Sequence, residues 1–458
     1  MDSPNRHSAA DLNFQTPEGK KSFTTAVLSI WLGTTMEYVD FALYGLAAGL
    51  VFHDVFFPHS TPIVGLLSAF ATYAVGFIAR PLGAIFFGRL GDKHGRKVVM
   101  VATIALMGVA TTLIGFIPSY DTIGPLAPAL LVLMRLGQGF GAGAELSGGA
   151  VMLAEYAPTK HRGVVASLIG VGSNTGTLLA SLVWLLVLQL PMETVQAWAW
   201  RIPFIGSAII VIGALVIRRK MKESPIYLDF QKVKEEQIRQ AEESQSAEPE
   251  NFFTKYKAFF WMLGLRIGEN GPSYMSQTFL VGYVVTALAV SKQVPTIAVI
   301  VASLLGFIII PGSGWISDRL GRRVTYRAYT FALMLIAFPA FWLLETRNPW
   351  IVGTVIVVAM SIASLGIFGV QAAYGVELFG IRHRYSQMAL AKELGSIMSG
   401  GTAPMIAAAL LAATGHWWPL ALYYFVTAGI GFVTTFFAPE TRGRDLALME
   451  DADHDEAR

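Results

Sequence analysis

Apolar residues run along this chain in long blocks separated by short polar breaks. The blocks lie at roughly 22 to 52, 62 to 87, 98 to 118, 125 to 154, 162 to 190 and 201 to 217. A second set follows at 258 to 289, 295 to 316, 325 to 344, 350 to 378, 385 to 414 and 417 to 437. A helix needs about 20 apolar residues to cross the hydrocarbon, whereas a membrane strand needs only about 10 and alternates. Inside lipid each backbone polar group must be satisfied within its own segment, so the blocks predict helices. The expectation is an all-α integral membrane protein of 12 transmembrane helices in two six-helix bundles, 22 to 217 and 258 to 437. A tail at 1 to 21, a linker at 218 to 257 and a tail at 438 to 458 complete it.

The division into halves has a second witness. Gly88-Arg-Leu-Gly-Asp92-Lys-His-Gly95-Arg96-Lys97 returns, nearly copied, as Gly314-Trp-Ile-Ser-Asp318-Arg-Leu-Gly321-Arg322-Arg323. A repeat at that separation indicates an internal duplication, so the two bundles are expected to be pseudo-symmetric. Each copy sets four charges and several turn-permitting glycines between two apolar blocks, as a short basic loop between helices does.

Charge then orients the chain. With the amino terminus inside, the cytoplasmic segments hold 27 of the 34 Lys and Arg, while the outer loops hold Arg201, Lys292 and Arg347. That asymmetry predicts both termini in the cytoplasm and a place in the cytoplasmic membrane. The first 21 residues have no apolar core of the signal-peptide kind. The linker mixes Glu, Gln, Lys and Ser and reads as a tether, and the last tail is too short for a coiled coil.

Composition agrees: 54% of residues are hydrophobic, 14% are charged, and the mean hydropathy is +0.53. The net charge of +3 gives no indication of nucleic acid. Cysteine is absent and all eight histidines fall in loops or tails, so no thiolate site, metal cluster or nucleophile and base pair stands out. No metal, no cofactor and no enzyme chemistry are expected. A nutrient sensor that binds without transporting is a further class, distinguished by the absence of flux.

The chemistry therefore rests on charges inside the apolar blocks: Glu37, Asp40, Arg80, Arg135, Glu145, Arg266, Glu269, Lys392 and Glu393. Each costs roughly 2.5 to 3.5 kcal/mol to insert, so they must face one another or a watery cavity. Asp40 and Arg135 fall at similar depth, roughly 15 Å below the outer surface. A carboxylate beside an arginine suits proton coupling, because separating them changes the carboxylate's affinity for a proton; a permanent structural salt bridge is the alternative. Glu37 is a second titrating group or a packing partner. Arg80 is expected to bond Glu145 or a backbone carbonyl.

On the seventh block, Arg266-Ile-Gly-Glu269-Asn270-Gly-Pro272-Ser-Tyr274-Met-Ser-Gln277 is too polar for lipid. Gly271-Pro272 is expected to break or bend the helix. Arg266 either pairs with Glu269 or holds a carboxylate in bidentate fashion, with Glu269 as counter-ion or proton site. Asn270, Tyr274 and Gln277, with Tyr44 and Gln138, would supply further contacts to a substrate. Lys392 is either a cation site or a partner of Glu377. Glu145, Glu155 and Arg162 read as gate residues pairing with Arg96 or its neighbours.

The repeated loop resembles the signature of the major facilitator superfamily, G-x-x-x-D-[RK]-x-G-R-[RK], at each signature position of both copies. Arg135-Leu-Gly-Gln138-Gly with Gly143 resembles the R-x-x-x-G motif of its proton-coupled members. Glu37-Tyr-Val-Asp40-Phe41, Phe77-Ile-Ala-Arg80-Pro81, Trp200-Arg201-Ile-Pro203-Phe204 and Ile381-Arg382-His-Arg384-Tyr385-Ser386 are similar to the metabolite:proton symporter branch. The resemblance implies a single-chain transporter whose halves rock about a central site, taking up a small organic anion with protons. Its partners would be that anion, protons and the bilayer. A zwitterionic osmolyte such as betaine or proline, or export of an anion, are the alternative readings.

Overall fold

The computed structural model describes residues 17–94, 96–143, 149–151, 153–154, 157–220, 256–380, 384–446, 448 and 450–454. Helices, without strands, make up the regular structure among these. They are α1 (Pro17–Leu50), α2 (Pro62–His94), α3 (Arg96–Ile114), α4 (Leu126–Ala142), α5 (Arg162–Val187) and α6 (Ile202–Lys220). After the linker come α7 (Lys257–Tyr274, continued through Met275–Phe279 into Leu280–Thr286), α8 (Gln293–Leu320) and α9 (Arg322–Leu344). Then follow α10 (Pro349–Met360, Ser361–Gly366, Ile367–Leu378), α11 (Arg384–Gly395, Ser396–Gly401, Thr402–Thr414) and α12 (Trp418–Phe437).

Seven helical spans, in α2, α5 and α8 to α12, are long and apolar enough to cross a membrane, and α3, α4 and α6 hold shorter apolar stretches. The two that fall outside this set, α1 and α7, carry Glu37, Asp40, Arg266 and Glu269, whose charges lower their mean hydropathy. Burial explains how these charges are tolerated. All four are buried, as are Arg80, Arg135 and Glu393, while Leu186, Ile209, Ile308 and Trp342 stand exposed on the outer faces. A bundle that is apolar outside and charged within is built for lipid; the chain is a multi-pass membrane protein.

Neighbours in the first half recur in the second. α1 packs on α5 as α7 packs on α11; α2 on α4 as α8 on α10; α3 on α6 as α9 on α12. The halves meet mainly through α5 with α8 and α2 with α11. Glycine permits the first of these contacts: a Cβ on Gly314 would meet the Gly163 carbonyl, and one on Gly163 the Gly314 carbonyl. Such small-residue approaches let apolar helices pack without a hydrophobic driving force.

Three helices of the second half widen into π turns, at Met275–Phe279, Ser361–Gly366 and Ser396–Gly401. Of the break or bend expected at Gly271-Pro272, the break is not there. α7 runs through Pro272, Ser276 donates to the Pro272 carbonyl (2.7 Å), and the helix widens one turn later. A local change of pitch follows the proline, as membrane helices allow.

The tail after α12 packs against the end of the bundle that carries the repeated loops. Ala438, Thr441 and Ala452 are buried there, and Ala452 N donates to the Leu378 carbonyl (2.9 Å). Residues 1–16 and 221–255, most of the expected tether among them, lie outside the described residues, as does Gly95.

Candidate functional site

Between the halves lies a cavity of about 30 Å³ lined by α1, α5, α7, α8 and α10. Tyr38, Ser173, Asn174, Thr177, Asn270 and Ser273 face it, with Tyr274, Gln277 and Ser364. Glu269 is the one charged side chain among its described lining. The space holds about two waters. The site is rich in hydroxyl and amide groups, which suit a hydroxylated solute.

Behind Glu269 stands Arg266. Its Nη1 donates to Glu269 Oε2 at 2.9 Å and to Gln371 Oε1 at 2.6 Å, and its Nη2 reaches Ser396 Oγ at 3.4 Å. Asn270 Nδ2 donates to the same Ser396 Oγ (3.1 Å), which ties α7 to the π turn of α11. Arg266 and Glu269 therefore pair, three residues apart on one helix face. Arg266 forms the wall behind the carboxylate and does not itself line the cavity.

A second charge cluster crosses the halves. Arg80 of α2 donates to Glu37 Oε1 of α1 at 2.5 Å, and its Nε lies 3.3 Å from Glu393 Oε2 of α11. The rings of Phe41 and Phe77 hold the guanidinium at 5.0 and 5.4 Å from their centres. Arg80 was expected to bond Glu145 or a carbonyl; its partners among the described residues are these two glutamates, because α2 faces α1 and α11 at this depth. Glu145 and Glu155 lie outside the described residues. Lys392, next to Glu393, sits within electrostatic reach of both clusters, as Glu393, Arg266, Glu37 and Arg80 all act on it.

Arg135 is held by neutral groups. Its Nη1 donates to Gln138 Oε1 (2.7 Å), its Nη2 to the Tyr73 carbonyl (3.0 Å), and it stacks 4.1 Å from the Tyr44 ring centre. Gln138 in turn donates to Thr111, and the Tyr44 hydroxyl shares a hydrogen bond with Thr72. Asp40 acts on this guanidinium from a distance, and no salt bridge between the two is seen among the described residues. The direct pair expected from their common depth is not the arrangement here; aromatic faces and carbonyls take the ligand positions around Arg135.

Both ends of the cavity are closed. At the end of the repeated loops, Asp318 accepts from the backbone N–H of Gly163 (2.7 Å) and Val164 (3.0 Å) across the halves. Arg162 donates to Glu377 Oε1 (3.1 Å) and to the Arg444 carbonyl (2.8 Å). Arg322 binds both Asp318 (2.8 Å) and Glu377 (3.0 Å). Arg162 thus binds Glu377, and Glu377 is no partner of Lys392; the expected pairing at Arg96 and its neighbours lies outside the described side chains. Gly321, at φ +105°, makes the turn before α9, where Glu440 accepts from the Arg322 and Arg323 N–H groups. Side chains of the first copy, at Gly88, Asp92, Arg96 and Lys97, are not among those described.

At the opposite end Lys292 Nζ donates to the Leu50 carbonyl (2.6 Å) and lies 3.7 Å from Asp54. Gly49 and Gly282 bring α1 against α7 there. Trp200 is buried among Phe52, Phe56 and Phe204, while Trp198 is exposed.

The sequence reading missed Tyr38, Ser173, Asn174 and Thr177 as lining residues, and Gln371 and Ser396 as supports. Ser173, Asn174 and Thr177 left a signal: uncharged polar residues three or four apart within an apolar block. Glu393 was counted among the buried charges without a site.

Comparison with known proteins places this architecture. Residues 30–399 match the Major Facilitator Superfamily profile. A shikimate transporter of Escherichia coli (strain K12) is 36% identical over 91% of this chain and 94% of its own. A proline/betaine transporter of the same strain is 34% identical over 92% of this chain and 84% of its own. The solved proton:xylose symporter XylE, bound to 6-bromo-6-deoxy-D-glucose, superimposes with a TM-score of 0.73 at 15% identity, covering 94% of this chain and 98% of that one. These relatives are transporters, not enzymes, and the chain belongs to the major facilitator superfamily, in its metabolite:proton symporter branch.

Proposed function

We propose that this chain is a proton-coupled symporter that takes up a small hydroxylated organic acid. Its twelve helices cross the cytoplasmic membrane with both termini inside, and one copy of the chain suffices. The observation that carries the reading is Glu269, the charged group of the cavity wall, paired at 2.9 Å with Arg266 behind it. Ionised, Glu269 answers the charge of Arg266 and repels an anion from the cavity. With a proton on Glu269, Arg266 keeps Gln371 and Ser396 but its charge is unanswered, so a carboxylate is drawn in. Proton and anion then bind together. Lys392 of α11, Tyr326 of α9, Tyr38 of α1 and Tyr274 of α7 are the other titratable groups that face this pair among the described residues. Asn174, Asn270, Ser273 and Gln277 supply partners for hydroxyl groups, and one relative is a shikimate transporter.

One observation favours a second reading. A lone carboxylate in the cavity suits the cationic end of a zwitterion, and one relative is a proline/betaine transporter. Uptake into proteoliposomes under an imposed inward proton gradient, with labelled shikimate, a dicarboxylate and betaine, separates the two. Accumulation of an acid is expected, reduced at least about tenfold by Arg266→Ala, the equivalent of about 1.4 kcal/mol of binding. Glu269→Gln is expected to exchange solute without responding to the gradient. Accumulation of betaine alone selects the zwitterion, and indifference to the gradient for all three removes proton coupling.

A further inference from the structure

The second copy of the repeated motif gathers more arginine than its own contacts use. Arg322 is buried on Asp318 and Glu377. Around it Arg319 and Arg442 are exposed and Arg323 and Arg327 half-buried, and none of these forms a salt bridge among the described residues. We propose that Arg319, Arg323, Arg327 and Arg442 bind the phosphate of an anionic phospholipid, in a site at the ends of α8, α9 and α12. The inference rests on the chain's lying in a membrane, and not on which solute it carries or in which direction.

Backbone contacts bring these arginines to one corner. Glu440 accepts from the N–H groups of Arg322 (2.8 Å), Arg323 (3.1 Å) and Arg442 (3.0 Å), which pins the segment after α12 to the start of α9. Arg442 Nη1 donates to the Arg319 carbonyl, so the last turn of α8 joins the same corner. Arg323 and Arg327 stand four apart on one face of α9, near enough that the one charge acts on the other. Glu440 is turned to backbone donors and forms no salt bridge with a guanidinium among the described residues. Cations gathered in this way repel one another, and an anion shared between them relieves the repulsion. A phosphodiester carries one negative charge on two free oxygens, each of which accepts guanidinium N–H groups.

The rings beside the arginines point to a lipid as the source of that phosphate. The Arg319 guanidinium lies 3.7 Å from the Trp315 ring centre, and that of Arg327 lies 4.0 Å from the Phe436 ring centre. Arg327 is fixed further by Thr435, whose Oγ1 and carbonyl accept from it at 3.0 and 2.8 Å. A guanidinium flat on a ring keeps its in-plane N–H edge clear, and the stack holds the long side chain in place before a phosphate arrives. Both rings are exposed, as are Leu320, Val324 and Phe437 on the same three elements. Apolar side chains that end in a row of cations match an acyl chain below its headgroup; a free phosphate would leave them uncovered. The surplus positive charge selects an anionic headgroup over one that carries its own cation.

The test needs neither solute nor gradient. The full chain is purified in detergent, and the lipid it retains is counted by native mass spectrometry against added phosphatidylglycerol, phosphatidylcholine or glycerophosphoglycerol, the headgroup without its chains. Phosphatidylglycerol is expected to be retained at about tenfold lower concentration than phosphatidylcholine, and the bare headgroup not at all. Arg319→Gln with Arg323→Gln should erase that preference, and should do so without unfolding the chain, since neither side chain donates a hydrogen bond among the described residues. Arg319→Lys with Arg323→Lys keeps the charge but not the fork, and should retain part of the preference. Arg347→Gln, exposed at the opposite end of α9, should change nothing. Equal retention of the two lipids by the native chain overturns the site, as does a Gln pair that keeps the full preference, a Lys pair no better than the Gln pair, or an Arg347→Gln chain that loses it. Glycerophosphoglycerol held as tightly as the lipid would make this a site for a soluble phosphate and overturn the lipid assignment.

Discussion

A buried guanidinium is defined by the groups around it, and three of them here are used in three ways. Arg135 sits among Gln138, the Tyr73 carbonyl and the Tyr44 ring, which take its Nη groups and leave its buried Nε without a hydrogen bond. Arg80 is shared between glutamates of opposite halves, and Arg266 is divided between Glu269 and Gln371. Gln371 carries more than packing, because its amide oxygen takes a 2.6 Å bond from the same Nη1 that reaches Glu269. Gln371→Leu removes an acceptor from a buried charged donor, a loss of roughly 1.5 to 3 kcal/mol. The expected result is a lower unfolding midpoint together with weaker half-saturation for the transported acid; a variant with native affinity would deny Arg266 its place in the site. At this scale the sequence names the charges but not their partners. Depth along a helix follows from residue count, which is why Asp40 and Arg135 look like a pair on paper. Rotation about the helix axis and the identity of the facing helix do not follow from it, and those decide that Arg80 meets Glu37 and Glu393.

Helices and their repeat were legible because hydropathy and the duplicated motif are written in residue types, but the expected loop is mostly helix: Gly314 and Asp318 lie within α8, Arg322 opens α9, and Gly321 alone stands between them. The π turns were not. Met275–Phe279, Ser361–Gly366 and Ser396–Gly401 have the same apolar periodicity as their flanks, and one added residue per turn leaves no mark on composition. They matter to the site, since they bring Gln277, Ser364 and Ser396 to the cavity and to Arg266. The contact of α5 with α8 shows how far one element tolerates change. A methyl on Gly314 would press on the Gly163 carbonyl, backbone that cannot swing aside as a side chain can. Gly314→Ala is expected to cost about 1 to 3 kcal/mol by overpacking. It should also weaken the Asp318 bonds to Gly163 and Val164, so Ser167→Cys, at a position buried beside that closure, should be labelled faster by a maleimide at neutral pH. Unchanged labelling and unchanged stability together would show that the helices part at no cost here.

The whole molecule is closed at both ends, and the two closures differ in chemistry. The repeated-loop end is held by carboxylates that bind several donors each, Asp318 and Glu377, with the tail stitched in through Arg444. The opposite end depends on a smaller group: Lys292 on the Leu50 carbonyl, Asp54 beside it, and His53 at 3.2 Å from Asp54. Burial holds the His53 imidazole below its usual pKa; Asp54 works against that and Lys292 adds to it. A histidine whose folded pKa is lowered takes up its proton more readily when unfolded, so the unfolded chain is favoured as pH falls through the ordinary histidine value of about 6.5 and on toward the folded one. Stability from this group is complete above that window and is lost below it. Lowering the pH from about 7.5 to about 5.5 is therefore expected to reduce Tm, and His53→Gln should flatten the fall by about 1 to 3 °C. The comparison of the two chains isolates His53 from the other seven histidines, which titrate in both. An equal fall in both would mean that His53 is not held neutral by the closed end. A flattened fall, with Lys292 labelled more readily by amine reagents at low pH in the native chain alone, would mean that acid loosens this closure first. In a proton-driven importer that is the side from which proton and solute arrive.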